Sequence, residues 1–222
     1  MTVSLIALNT LIFLFMFFQG SRVFQYLTFE YGYIPFEITH QAELTPDLAT
    51  SVWLTPFTSM FMHGGWLHLI GNMLFLWIFG NNIEDYMGPV KFILFYILSG
   101  LAAISLYTLF GPSSKVPLIG ASGAIAGVMG AYIVLFPKAD ITVLIVFFLI
   151  QFIVVPAKIV LGIWFFLQLF MSLTGTSSGG GVAWMAHVGG FLFGYIVMKV
   201  SVKIFGRGTT PGGGQRVYRV RW

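Results

Sequence analysis

Long apolar runs, broken by short polar stretches, fill this chain from its third residue to about residue 205. The runs cover about 3–19, 60–80, 91–110, 122–136, 157–173 and 184–204. An α-helix rises 1.5 Å per residue and a bilayer core is about 30 Å thick, so such runs read as membrane-crossing helices. Only 8% of the 222 residues are charged and 58% are hydrophobic. Soluble domains carry roughly 25% charged residues. The expected fold is therefore an all-α polytopic membrane protein, a bundle of six transmembrane helices over residues 1–205. A basic, Gly-rich tail over 206–222, with Pro211-Gly212-Gly213-Gly214, is expected to be disordered.

The first run lacks a basic segment before it, and Gln19-Gly20-Ser21 is a poor cleavage site, so it reads as a retained span rather than a signal peptide. Between it and the second run lies a loop, about 20–55, holding Glu30, Glu37, Glu43 and Asp47. Its aromatics (Phe24, Tyr26, Phe29, Tyr31, Tyr33, Phe36) suit a bilayer interface. A polar loop over 81–90 carries Glu84 and Asp85. Residues 139–155 are apolar but end at Pro156. One kinked span competes there with an interfacial stretch followed by a helix from about 157. The second reading is preferred, because a helix over 140–173 would be roughly 50 Å long.

Charge bias sets the expected orientation. With six spans both ends lie on one side, which receives Lys91, Lys138, Lys158, Lys199, Lys203, Arg207, Arg216, Arg219 and Arg221. The other side receives Arg22 and Lys115. The positive-inside rule places both termini in the cytoplasm. The basic tail then reads as an anchor near acidic lipids rather than a nucleic-acid arm. The loops before Ser122 and His187 both fall outside, so these two residues enter the bilayer from the same face.

Ser122 opens one apolar run between Gly120 and Gly123. A serine at a helix N-terminus has free backbone N–H groups around it, which stabilise an oxyanion. The competing reading is small-residue packing, since Gly123 and Gly127 form a GxxxG pair. His187 lies inside another run, where an ionisable residue is costly and a functional candidate by default. His187, Gly190 and Gly194 share one helical face, otherwise nearly smooth, that can pack closely against the glycine face at Ser122. His68 and Asn72, four apart, share a face of the second run and both can donate hydrogen bonds. His63 lies five before His68 and is expected to point elsewhere; His40 is expected to be solvated. No metal site is expected, since the His63–His68 spacing misses the i, i+4 pattern of zinc proteases and no carboxylate lies in the runs. The chain has no cysteine, which removes disulfides and thiolate chemistry. All seven acids lie in loops or at run ends, so a Ser-His dyad is expected rather than a triad.

Together Gly120-x-Ser122-Gly123, Ala186-His187-x-x-Gly190-x-x-x-Gly194 and His63-x-x-x-x-His68-x-x-x-Asn72 resemble the rhomboid family of intramembrane serine proteases, in the family's order. The resemblance covers about residues 3–205. It implies that Ser122 is the nucleophile, that His187 is its general base, and that His68, Asn72 and the Ser122 N–H form the oxyanion hole. It implies no cofactor, and substrates that are single-span membrane proteins within the lipid bilayer. It also implies a cap over the site from the Gly/Ser loop before His187. The implied location is a bacterial inner membrane, with the site opening outward. Two positions depart from the pattern. Many relatives carry a tyrosine four residues after the serine, against the histidine ring; here that residue is Ala126. Many carry a Trp-Arg pair in the first loop; here Trp53-Leu54-Thr55 lacks the arginine. A client-binding protein without catalysis and a transporter are the rival readings. Against the first, both dyad residues are present; against the second, no internal repeat is evident.

Overall fold

A computed structural model describes residues 1–42, 44, 50–146, 150–174 and 180–206. Glu43, Asp47, most of the Gly/Ser loop before His187 and the basic tail lie outside the described residues. The helices are α1 (Thr2–Phe18), α2 (Ser21–Tyr31), α3 (Pro35–His40), α4 (Thr55–Thr58), α5 (Trp66–Phe75), α6 (Asn81–Met87), α7 (Pro89–Phe110), α8 (Ser122–Leu135), α9 (Ala157–Thr174) and α10 (Gly180–Phe205). By length and composition, the 22 residues of α7, the 18 of α9 and residues Trp184–Phe205 of α10 can cross a membrane. Helices α1 and α8 are apolar but shorter.

Helix α8 is the centre of the bundle. It is apolar all round, and nine of its fourteen residues are buried, Ala124 through Tyr132. A helix without a polar face must be surrounded, and α7 and α10 flank this one. The fit depends on missing side chains. A Cβ at Gly190 would overlap the Gly123 carbonyl, one at Gly194 the Gly127 carbonyl, and one at Gly130 the Phe191 carbonyl. On the α7 side, Gly123 faces the Ala103 Cβ and Gly127 faces Ser99. Apolar helices gain nothing by hiding from lipid, so close backbone approach supplies the attraction. The outer helices show the complementary pattern. In α9, Phe166 is 68% exposed, Phe170 60% and Leu173 70%. So large a bare apolar surface suits hydrocarbon rather than water.

The structure corrects the sequence reading at three places. The fold is not all-α: β1 (Asp140–Val146) pairs antiparallel with β2 (Ile150–Pro156), Ile141 opposite Val155 and Leu144 opposite Phe152. Pro137 ends the helical path from α8, and the following Ile, Thr and Val residues favour extended backbone. Helix α9 then starts at Ala157, as the length argument requires. The expected polar loop over 81–90 is helical to Met87, because a π-helical turn over Leu76–Gly80 joins α5 to α6. The Asn81 and Asn82 amides return hydrogen bonds to the Trp77 and Ile78 carbonyls. Gly88, at φ 80°, makes the reversal into α7. Third, the long first loop contains α2 and α3, and α4 begins where it ends.

Substitutions at glycine test the packing. Gly194→Ala should lower the melting temperature in detergent, an overpacking cost of roughly 1–3 kcal/mol. Gly162→Ala in α9, where an added Cβ meets nothing within 4 Å, should leave it equal or raise it by up to about 1 kcal/mol of helix propensity. Equal melting of wild type and Gly194→Ala would show that the α8–α10 contact does not depend on the bare glycine.

Candidate active site

Ser122 is the first residue of α8, and the segment before it is held from two sides. Tyr33 and Leu118 exchange backbone hydrogen bonds at 3.0 and 2.8 Å, and Gly120 N–H donates to the Ser59 carbonyl at 2.9 Å. Gly120 takes φ 131°, a conformation that side chains disfavour. A Cβ there would also come within 2.7 Å of His68 Nε2. Helix α8 then begins with N–H groups that have no intrahelical acceptor, at the positive end of the helix dipole.

His187 projects from α10 to this point. Its Nε2 lies 2.8 Å from Ser122 Oγ. Its Nδ1 lies 2.8 Å from the side-chain Oε1 of Gln168 on α9. Two indoles bound the ring: Trp164 and Trp184, with centroids 5.9 and 5.8 Å from the imidazole. These three residues occupy the role left open by Ala126, which packs instead near Gly190.

A cavity of about 270 Å³ joins Ser122, His187, Gln168, His68 and Asn72. The four-residue spacing of His68 and Asn72 thus directs both into the same space, as expected from one face of α5. The Gly64 N–H meets His68 Nδ1 at a long 3.4 Å; where that nitrogen accepts, Nε2 carries the proton and can donate. Asn72 is buried, and its Nδ2 has no hydrogen-bond partner among the described residues. It lines the cavity beside His68. Among the described residues no carboxylate lines the cavity.

The remaining candidates fall elsewhere. Gly190 and Gly194 lie in the α8–α10 contact, and Gly123 in a small space of about 20 Å³ behind Ser122. His63 does not point away from His68, as its five-residue spacing suggested. It precedes α5 in non-helical backbone, so helical spacing does not apply, and its buried ring meets the His68 ring edge-on at 5.1 Å. His40 stacks on Phe36 outside the cavity. Gln168, Trp164 and Trp184 were not foreseen. For Gln168 a signal existed: it is an amide inside an apolar helix, and the cost that marks His187 marks it too.

The structure is thus a helical bundle with apolar outer surfaces and a serine–histidine pair at a cavity among its helices. The Rhomboid domain family model matches residues 50–204. Rhomboid protein 1, mitochondrial, of Saccharomyces cerevisiae is 34% identical over 163 residues, 69% of this chain and 43% of that protein. RHOMBOID-like protein 6, mitochondrial, of Arabidopsis thaliana is 40% identical over 74 residues, 33% of this chain and 24% of that protein. Rhomboid protease GluP of Bacillus subtilis is 36% identical over 84 residues, 38% of this chain and 16% of that protein. The chain belongs to the rhomboid family, and is accordingly an integral membrane protein. It spans less than half the length of these relatives.

Gly120→Ala tests how the serine is presented. Backbone strain of roughly 1–3 kcal/mol, together with the clash at His68, should lower the melting temperature and slow fluorophosphonate labelling of Ser122. Labelling at the wild-type rate would show that the turn does not position the hydroxyl.

Proposed function

We propose that this chain is an intramembrane serine endopeptidase. It cleaves single-span membrane proteins within or beside their transmembrane segment, using Ser122 and His187 as a dyad. The observation that carries this reading is the 2.8 Å contact of His187 Nε2 with Ser122 Oγ, in a cavity shared with two further donors. The protease name of the Bacillus subtilis relative is consistent with it.

In this mechanism Ser122 Oγ attacks the scissile carbonyl carbon while its proton passes to His187 Nε2. The carbonyl oxygen becomes an oxyanion, met by His68, the Asn72 amide and the Ser122 N–H. Collapse expels the amine, which takes the proton from His187 and leaves an acyl-enzyme. Water, deprotonated by His187, then releases the carboxylate and restores Ser122.

The helices also support a placement in the bilayer. The path through α5 and α6 is continuous over 66–87, so six helical segments are available to cross. Helix α8, at fourteen residues, is only about 21 Å long. With Lys138 held at the cytoplasmic surface by the charge bias, its N-terminus stops roughly 10 Å short of the outer face of a 30 Å core. Ser122 then sits inside the membrane, and water reaches it through an outward-opening cavity. The relatives named mitochondrial mean that the expected bacterial inner membrane is one setting among several.

Incubation in liposomes with a model single-span protein, followed by mass mapping of the products, tests the proposal. Ser122→Ala and His187→Ala should each abolish cleavage. Asn72→Ala should reduce kcat about 10²-fold, the loss typical of one oxyanion donor. Substrates with Gly, Ala or Ser near the outer membrane face should be cut best, given the small residues beside Ser122. Cleavage by Ser122→Ala at the wild-type rate would refute the assignment. A wild-type protein that captures the substrate uncut would favour a binding role.

A further inference from the structure

Gln168 is a polar side chain, 7% exposed, on a helix that is otherwise almost wholly apolar. Burying an amide is costly unless it is hydrogen-bonded. Among the described residues its oxygen meets one partner, His187 Nδ1 at 2.8 Å. With its oxygen turned to His187 the amide can only accept, and in that arrangement the proton of the bond belongs to Nδ1. A neutral imidazole carrying its proton on Nδ1 has a lone pair on Nε2, the atom that faces Ser122 Oγ. The opposite tautomer would present an N–H to the serine and could not take its proton.

We propose that Gln168 is a positioning residue of the dyad. Its amide oxygen selects the Nδ1–H tautomer, fixes the ring's rotation, and steadies the imidazolium formed during attack. This rests on the protease reading above. In Ser-His-Asp triads a carboxylate does this work, holding the tautomer and stabilising the charged ring. Here a neutral amide gives the same geometry without placing a second full charge in a low-dielectric site. It stabilises the imidazolium less, because a hydrogen bond with only one ionised partner is weaker than an ion pair of the same geometry.

The surroundings fit this role. Trp164 lies four residues before Gln168 on α9, and Trp184 three before His187 on α10, so each indole shares a face with the residue it supports. The ring is bounded by two indoles and tied at both nitrogens. Rotation of the imidazole would break both hydrogen bonds together.

The test combines a spectroscopic readout with kinetics on the full chain in detergent micelles. The chain has four histidines, so ring-¹⁵N labelling gives a spectrum in which His187→Ala identifies the His187 signals. Wild type should show His187 protonated at Nδ1 and bare at Nε2 near neutral pH. Gln168→Leu should lose that preference and lower kcat roughly 10–100-fold, the loss of one hydrogen bond to a charged group. KM should stay within about twofold, since Gln168 acts through His187 in this mechanism. Gln168→Glu keeps an acceptor at the same reach and should recover most of the lost kcat. Wild-type kcat in Gln168→Leu, or a wild-type His187 protonated at Nε2, would overturn the proposal. The wild-type spectrum decides even if Gln168→Leu does not fold. It also separates the two readings: a protein that cuts nothing yet shows Nδ1–H at His187 refutes the protease assignment and leaves the tautomer role standing.

Discussion

The backbone contact between α8 and α10 is the constraint on which the site depends. At Gly123 against Gly190 and Gly127 against Gly194, one helix's carbonyl oxygen occupies the volume where the other's side chain would begin. Helices that meet through side chains lie 8–10 Å apart; bare glycines let them come closer. Ser122 and His187 stand one turn or less beyond this contact. Their 2.8 Å separation is therefore set by the fit of two backbones rather than by the reach of flexible side chains. Within the proposed mechanism, a pair held in this way keeps its geometry without a further entropy cost at each turnover.

From that contact the other helices take their places by a division of labour. Helix α7 fills the remaining side of α8 with small residues, Ser99 and Ala103. Helix α5 contributes His68 and Asn72 from one face. Helix α9 touches α8 and α10 but leaves half of its residues exposed; at the site it contributes Trp164 and Gln168. The segment before Ser122, pinned to Tyr33 and Ser59, brings the first loop into contact with the site through backbone hydrogen bonds. This distant loop thus helps set the direction in which the serine faces.

Some of this was legible in the sequence, because it rests on spacing within one helix. The positions of His187, Gly190 and Gly194 on one face, and of His68 and Asn72 on another, follow from 3.6 residues per turn. The helix beginning at Ala157 followed from bilayer thickness and Pro156. What was missed depends on relations between segments. Gln168 has meaning only opposite His187, nineteen residues away on another helix. The strand pair β1 and β2 was hidden because an apolar, β-branched run fits a strand or a buried helix equally well by pattern. The π turn at Leu76–Gly80 has no simple signature, so the polar residues after it read as a loop. His63 was misplaced because helical spacing was applied to a residue that precedes the helix.

The polar atoms of the bundle centre make one further point. Ser122, His187 and Gln168 satisfy one another in the resting state. Asn72 Nδ2 does not; it is buried and has no acceptor among the described residues. Within the proposed reaction this asymmetry is useful. A donor already bonded in the ground state gains little when charge develops nearby. A donor that faces the cavity can turn to the oxyanion without breaking a bond of the Ser122–His187–Gln168 set. Binding that strengthens only in the transition state is what accelerates a reaction. Within the proposed mechanism Asn72, placed by α5 on the cavity wall beside His68, is such a donor.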